Sequence, residues 1–188
     1  GDVIGKPNAV KIVKRIVQLH KNEKICNQLG LKSANMLLFS GGCGVGKTFM
    51  VKALAGELGF PLISINSKDI LKNGGFSAID EITNMAKTYK NTVIFIDEAE
   101  KIIGNPGFGG DNFLIAEFNR GLDGIDSREV KSIFILAVNE LSRLGESFLD
   151  RFTHVKFENP TFNERFDFYK YKYDYSKKHI NSNVDYHY

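Results

Sequence analysis

The chain has 188 residues, 43% of them hydrophobic, with 25 Lys or Arg against 22 Asp or Glu and a formal net charge of +3. That length fits one principal domain with a substantial core, and a charge so near neutral gives no electrostatic reason to expect a nucleic-acid partner. Two cysteines (Cys26, Cys43) make no disulfide framework, four scattered histidines (His20, His154, His179, His187) show no ligand spacing, and no apolar run reaches the roughly 18 residues that cross a bilayer; a soluble module is expected.

The chain opens on Gly1-Asp2-Val3-Ile4-Gly5, without an initiator Met or a signal peptide, and reads as a piece of something longer. Residues Asn8 to Leu29 read as helix leading into a first strand. Five short runs rich in Ile, Val and Phe follow: Met36–Ser40, Leu62–Ile65, Thr92–Ile96, Ile133–Val138 and Thr153–Phe157. They are continuously apolar, as strands are when both faces of a parallel sheet are covered. Amphipathic stretches lie between them: Thr48–Leu58, closed by Gly59 as a helix C-cap, then Ala78–Thr88 and Phe113–Leu122. This alternation predicts an α/β layered sheet. Residues 104–110 (Gly-Asn-Pro-Gly-Phe-Gly-Gly) read as a loop.

After Asn159 the chain turns aromatic and polar. Pro160 precedes Thr161-Phe162-Asn163-Glu164, a capping box opening a helix. Phe162, Phe166, Tyr169 and Tyr173 then share one face, which is expected to pack on the domain. Residues 181–188 read as poorly ordered.

Gly41-Gly42-Cys43-Gly44-Val45-Gly46-Lys47-Thr48 matches G-x-x-x-x-G-K-[ST] in full, and it lies between a predicted strand and a predicted helix. Glycines permit backbone angles closed to other residues and let N–H groups approach phosphate oxygens with no Cβ between. The helix start adds unpaired N–H groups and a positive dipole end. Lys47 is placed to neutralise the β and γ phosphates, and the Thr48 hydroxyl to ligate Mg²⁺, a hard cation that takes oxygen. Val93-Ile94-Phe95-Ile96-Asp97-Glu98 is an apolar strand ending in two acids. It sets Asp97 at the carboxyl edge of the sheet, where open α/β sheets bind ligands, as the second metal ligand. On an extended chain Glu98 points the other way, toward an attacking water that it could orient and deprotonate. Asn139 ends a third apolar strand; its amide suits the γ-phosphate or the lytic water, and the alternative is a turn residue.

In order and spacing these motifs resemble the AAA family of ATPases over nearly the whole chain, most nearly the FtsH-like and proteasomal-ATPase-like modules. Asp2-Val3-Ile4-Gly5 resembles the family's entry segment, so Val3, Ile4 and Gly5 are expected at the adenine. Gly41–Thr48 is similar to its Walker A loop and Ile94–Glu98 to its Walker B strand. Phe118–Ile125 resembles the helix and turn that follow, Ala137-Val138-Asn139 sensor 1, and Phe148-Leu149-Asp150-Arg151-Phe152 the segment carrying the arginine finger. The resemblance implies a five-stranded parallel P-loop sheet flanked by helices over residues 1–158, with the first helix of an incomplete lid and a flexible tail over 159–188. It implies nucleotide contacts from Gly42, Cys43, Gly44, Val45, Gly46, Lys47, Thr48, Phe49 and Asp97, with Mg²⁺ on Thr48 and Asp97, and catalytic roles for Glu98, Asn139 and Arg151. In the family the finger reaches a neighbouring subunit's γ-phosphate, so self-association, as a hexameric ring, is implied; a local pair with Asp150 is the alternative for Arg151. Here the sequence departs from the pattern: Cys43 stands where the family usually has Pro, and Phe148 where many members have a first arginine. Lys68–Ser77 is short where substrate-threading members carry an aromatic–apolar pair, with Phe76 as the substitute. No sensor 2 residue can be assigned, and no His-Glu-x-x-His zinc site follows. The function so implied is ATP hydrolysis that remodels an unidentified protein or complex; the alternatives are a nucleotide-dependent scaffold with little turnover and, less favoured, a nucleic-acid-directed relative.

Overall fold

The structure, a computed structural model, describes residues 7–29, 35–72, 75–103, 111–123, 132–142 and 144–180. Val3, Ile4, Gly5, the 104–110 loop and the 181–188 tail lie outside these. Helices α1 (Pro7–Lys21) and α2 (Glu23–Gln28) come first. The single helix expected over Asn8–Leu29 is thus interrupted at Asn22, whose side-chain Nδ2 donates to Gln18 O at 2.9 Å. Such local side-chain bonds compete with helix propagation. Pro7 takes the first helical position, where its missing N–H costs nothing.

Then follow β1 (Met36–Ser40), α3 (Lys47–Leu58), β2 (Leu62–Asn66), α4 (Ser67–Lys72), α5 (Phe76–Thr88), β3 (Val93–Asp97), α6 (Glu100–Ile103), α7 (Asp111–Leu122), β4 (Ile133–Val138), α8 (Glu146–Leu149), β5 (Thr153–Lys156) and α9 (Phe162–Ile180). β1 and β4 match the sequence reading residue for residue. β3 runs one residue later than expected, because Asp97 still pairs with Asn66 of the neighbouring strand. Gly59 closes α3 in the left-handed conformation, its N–H reaching Ala55 and Gly56 carbonyls.

The five strands form one parallel sheet in the order β2-β3-β4-β1-β5. Consecutive residues of the three central strands enter opposite cores. Leu38, Ile94, Ile96, Phe134 and Leu136 pack with α4 to α8, while Leu37, Phe39, Phe95 and Ile135 pack with α1 and α3. Covering both faces explains why these strands read as unbroken apolar runs. Each fully buried Leu, Ile or Phe contributes about 1.5–3 kcal/mol. The edge strands β2 and β5 are partly exposed, and no helix among the described residues is long and apolar enough to cross a membrane.

Register then places the site. Ser40 pairs with Val138 and Ile96 with Leu136, so Gly41 and Asn139 are level and Asp97, level with Ala137, lies two residues below. Three strand ends thus meet at one carboxyl edge.

The aromatic face of α9 does not pack on the domain as expected. Phe162, Phe166, Tyr169 and Tyr173 are 61–73% exposed, although the capping box forms as read: Glu164 N–H donates to Thr161 Oγ1 at 3.2 Å and Thr161 N–H to Glu164 Oε2 at 2.7 Å. Both sheet faces are already covered by other helices, and Phe168, Tyr171 and Tyr175 put a second set of exposed aromatics on the opposite side of α9. No single apolar face remains to direct its docking.

Candidate active site

The loop from Gly41 to Gly46 leaves β1 and enters α3. Gly41 (φ 148°), Gly44 (φ 75°) and Gly46 (φ 101°) adopt positive φ, the region that favours glycine. Gly46 is the N-cap of α3 and offers no side-chain cap, so the first-turn N–H groups face outward without an intrahelical acceptor. Val45 anchors the loop by burying its side chain in the core beneath. Cys43, Thr48 and Phe49 are exposed around the cradle.

Lys47 is buried to 7% exposure. Its Nζ donates to Gly41 O and, at 2.9 Å, to both Gly42 O and Asn139 Oδ1. Burial pulls its pKa below the ordinary 10.5, outweighing the nearby carboxylates of Asp97 and Glu100, which raise it. Thr48 Oγ1 donates to Asp97 Oδ2 at 3.3 Å. Asp97 Oδ1 accepts the Glu98 N–H at 2.9 Å, which orients the carboxylate toward Thr48.

Glu98 departs from the strand geometry expected of it. The strand ends at Asp97, and Glu98 sits at φ 52°, a conformation uncommon for a non-glycine residue and one concentrated at functional sites. This turn, rather than strand alternation, aims its side chain. Lys101 Nζ donates to Glu98 Oε2, and this hydrogen bond holds the Glu98 carboxyl below its ordinary 4.5. The Lys101 ammonium is raised correspondingly.

The sequence reading overlooked Glu100 as well as Lys101. Glu100 is buried, and its Oε1 accepts from Asn139 Nδ2 at 2.7 Å. The available signal was a further acid three residues past Asp97, shortly before the apolar pair Ile102-Ile103. Arg151 is not brought to the cradle of its own chain. Its NH1 bonds Asn119 O on α7 at 3.4 Å and Asp123 Oδ1, one residue past the end of α7, at 2.6 Å, so its local partner is Asp123 rather than Asp150. Phe148, where the sequence resemblance leads one to expect a first arginine, is fully buried, with its ring 6.4 Å from Phe118 and 5.2 Å from Phe152. An arginine there would leave a charge in the core.

The donor set fits a triphosphate with its cation. Uncapped amides and an ammonium suit phosphate oxygens. A hydroxyl and a carboxylate 3.3 Å apart suit one hard cation, which would complete its shell with phosphate and water.

The model of the ATPase family associated with various cellular activities (AAA) matches residues 37–159. The chain belongs to the AAA family. This AAA chain is 29% identical over 180 residues to an ATP-dependent zinc metalloprotease FtsH of Pelobacter propionicus, covering 87% of its own length but only 28% of that protein's. Two solved structures share the fold at 22% identity. One, described as the crystal structure of the FIGL-1 AAA domain, gives a TM-score of 0.75 over 88% of this chain and 57% of that one. The other, from work titled Structural Basis for Katanin Self-Assembly, gives 0.69 over 87% and 54%. The AAA chain therefore spans little more than a quarter of its FtsH relative and about half of the solved chains.

Proposed function

We propose that this AAA chain binds ATP with Mg²⁺ and hydrolyses it, and that a ring of copies, a hexamer, uses the turnover to remodel a protein or protein complex. The observation that carries this reading is Lys47 joining the phosphate loop to Asn139, beside the Thr48–Asp97 pair: three strand ends deliver one site. The residues divide the work. Loop amides from Gly42 to Thr48 and the Lys47 ammonium bind the β and γ phosphates. Thr48 and Asp97 hold the cation, which when present neutralises charge developing on the transferred phosphoryl group. Glu98, kept ionised, orients the attacking water and takes its proton; a base so placed contributes about 10²–10⁴-fold. Asn139 contacts the water or the γ-phosphate. Arg151 reaches a neighbour's nucleotide after leaving Asp123; where measured in related enzymes, such a finger is worth about 10³–10⁵-fold. Val3, Ile4 and Gly5 contact adenine, and the segment 159–188 begins a helical lid.

ATPase rate per chain, measured against protein concentration, tests this reading. Wild type should accelerate with concentration, Arg151→Ala should lose the acceleration, and Glu98→Gln should bind ATP without turning it over. A rate indifferent to concentration and to both substitutions refutes it. A second reading, a nucleotide-dependent switch with little turnover, is favoured by the Arg151–Asp123 pair and by Phe148 filling the other arginine position. ATP binding without turnover at every concentration would select it.

A further inference from the structure

Glu100 has no part in the mechanism above, yet it is the most deeply placed carboxylate of the site. It is 7% exposed and opens α6. The turn before it is tied to the sheet by the Ala99 N–H, which donates to Ala137 O at 2.9 Å. That bond carries Glu100 alongside Asn139, the residue two beyond Ala137. Its Oε1 accepts from Asn139 Nδ2 at 2.7 Å, and its Oε2 is buried with no partner among the described residues.

Asn139 therefore lies between a carboxylate and an ammonium. A carboxylate accepts and an ammonium only donates. The amide can satisfy both in one orientation alone: Nδ2 toward Glu100 and Oδ1 toward Lys47, as observed at 2.7 and 2.9 Å. The opposite orientation would set N–H against an ammonium and oxygen against a carboxylate.

We propose that Glu100 is a positioning residue: it fixes the Asn139 amide so that Oδ1 faces the cradle and accepts a hydrogen bond from the attacking water once Lys47 has turned to phosphate. This rests on the reading of Lys47 and Glu98 given above. It gives Asn139 the acceptor's role toward that water, with Nδ2 retained by Glu100 in both states. The unpartnered Oε2 is the cost of this placement, since a buried carboxylate oxygen left without a hydrogen bond is destabilising.

Three variants of this chain test the assignment. Glu100→Gln keeps an acceptor without the charge. Glu100→Met fills the buried volume with no acceptor, and Glu100→Ala simply removes the side chain. With Glu100→Gln, kcat should stay within about threefold of wild type. With Glu100→Met and Glu100→Ala, kcat should fall between about 10- and 100-fold, the usual scale for a misplaced catalytic group, while the Kd for MgADP stays within about twofold. In the nucleotide-free chain, hydrogen exchange of the Asn139 side-chain NH₂ should be slow in wild type and Glu100→Gln and fast in Glu100→Met. Thermal melting and MgADP binding identify any variant that fails to fold, and the remaining variants then decide. Equal loss of kcat in Glu100→Gln and Glu100→Met overturns the proposal, because charge rather than acceptance would then matter. Unchanged kcat in Glu100→Met, or unprotected Asn139 amide protons in wild type, overturns it as well. If wild type hydrolyses nothing and Glu98→Gln behaves identically, the ATPase reading has failed instead, and amide exchange still decides the role of Glu100.

Discussion

Two glycines of one loop should fail for different reasons when changed to alanine. A Cβ on Gly41 would lie 2.2 Å from the Phe157 carbonyl oxygen and 3.0 Å from Phe157 Cβ, at φ 148°. Ordinary contact needs about 1 Å more, and the obstructing oxygen belongs to the backbone at the end of β5. The shift would disturb the Phe157 N–H bond to Ser40 O, now 2.7 Å. Backbone strain, overpacking and a weakened hydrogen bond together cost about 4 kcal/mol. In a domain of this size that lowers Tm by about 8–16 °C. At Gly46 a Cβ would meet no atom within 4 Å, and only φ 101° resists it. Its cost is about 1–2 kcal/mol, or about 2–8 °C. The effects should cross in binding: the new methyl of Gly46→Ala enters the open cradle and weakens MgADP, whereas Gly41→Ala, below its melting point, binds it with smaller loss. Circular dichroism melts and nucleotide titrations of both variants measure this. Equal Tm values for the two, or tighter binding by Gly46→Ala than by Gly41→Ala, would refute the reasoning.

Lys47→Met should weaken MgATP at least about 30-fold, the scale of losing one side of a desolvated charge pair; a fluorescent-nucleotide titration reads it. Lys101→Ala should move the acid limb of kcat. Glu98 is held below its ordinary 4.5 by Lys101, so the ionised base persists to lower pH in wild type. The small stability of this exposed pair is present above the usual carboxylate range and lost as pH falls through the lowered value. Without Lys101 the limb should rise toward 4.5, and a pH–rate profile with no shift would count against the pair. Phe166→Ser and Tyr169→Ser should change stability by no more than about 0.5 kcal/mol, since both side chains are exposed. Phe118→Ala, at 0% exposure, should cost about 3–5 kcal/mol in urea melts.

The sheet was legible because its central strands are buried on both faces, which leaves a plain signal in runs such as Ile133–Val138. Strand order was not legible locally; it depends on crossovers that bring β4 between β1 and β3. Lys47, Thr48, Asp97 and Asn139 were readable from motif chemistry, and the structure joins them by direct hydrogen bonds. Glu100 and Lys101 were not, because their significance comes from a turn that breaks the strand at Glu98, whose φ of 52° nothing in Asp-Glu-Ala-Glu announces. The α9 aromatics misled for a related reason: helical spacing shows which residues share a face, and says nothing about whether a partner surface is left to receive it.

The same helix gives the protein a built-in optical signal. The chain has seven tyrosines and no tryptophan. Tyr169, Tyr171, Tyr173 and Tyr175 lie on α9, and Tyr89 caps α5, all of them exposed. None of these five emitters sits in the sheet or the phosphate loop. Melting the core should therefore leave their emission nearly unchanged, while anything that settles on α9 should alter their intensity and shield them from a dissolved quencher.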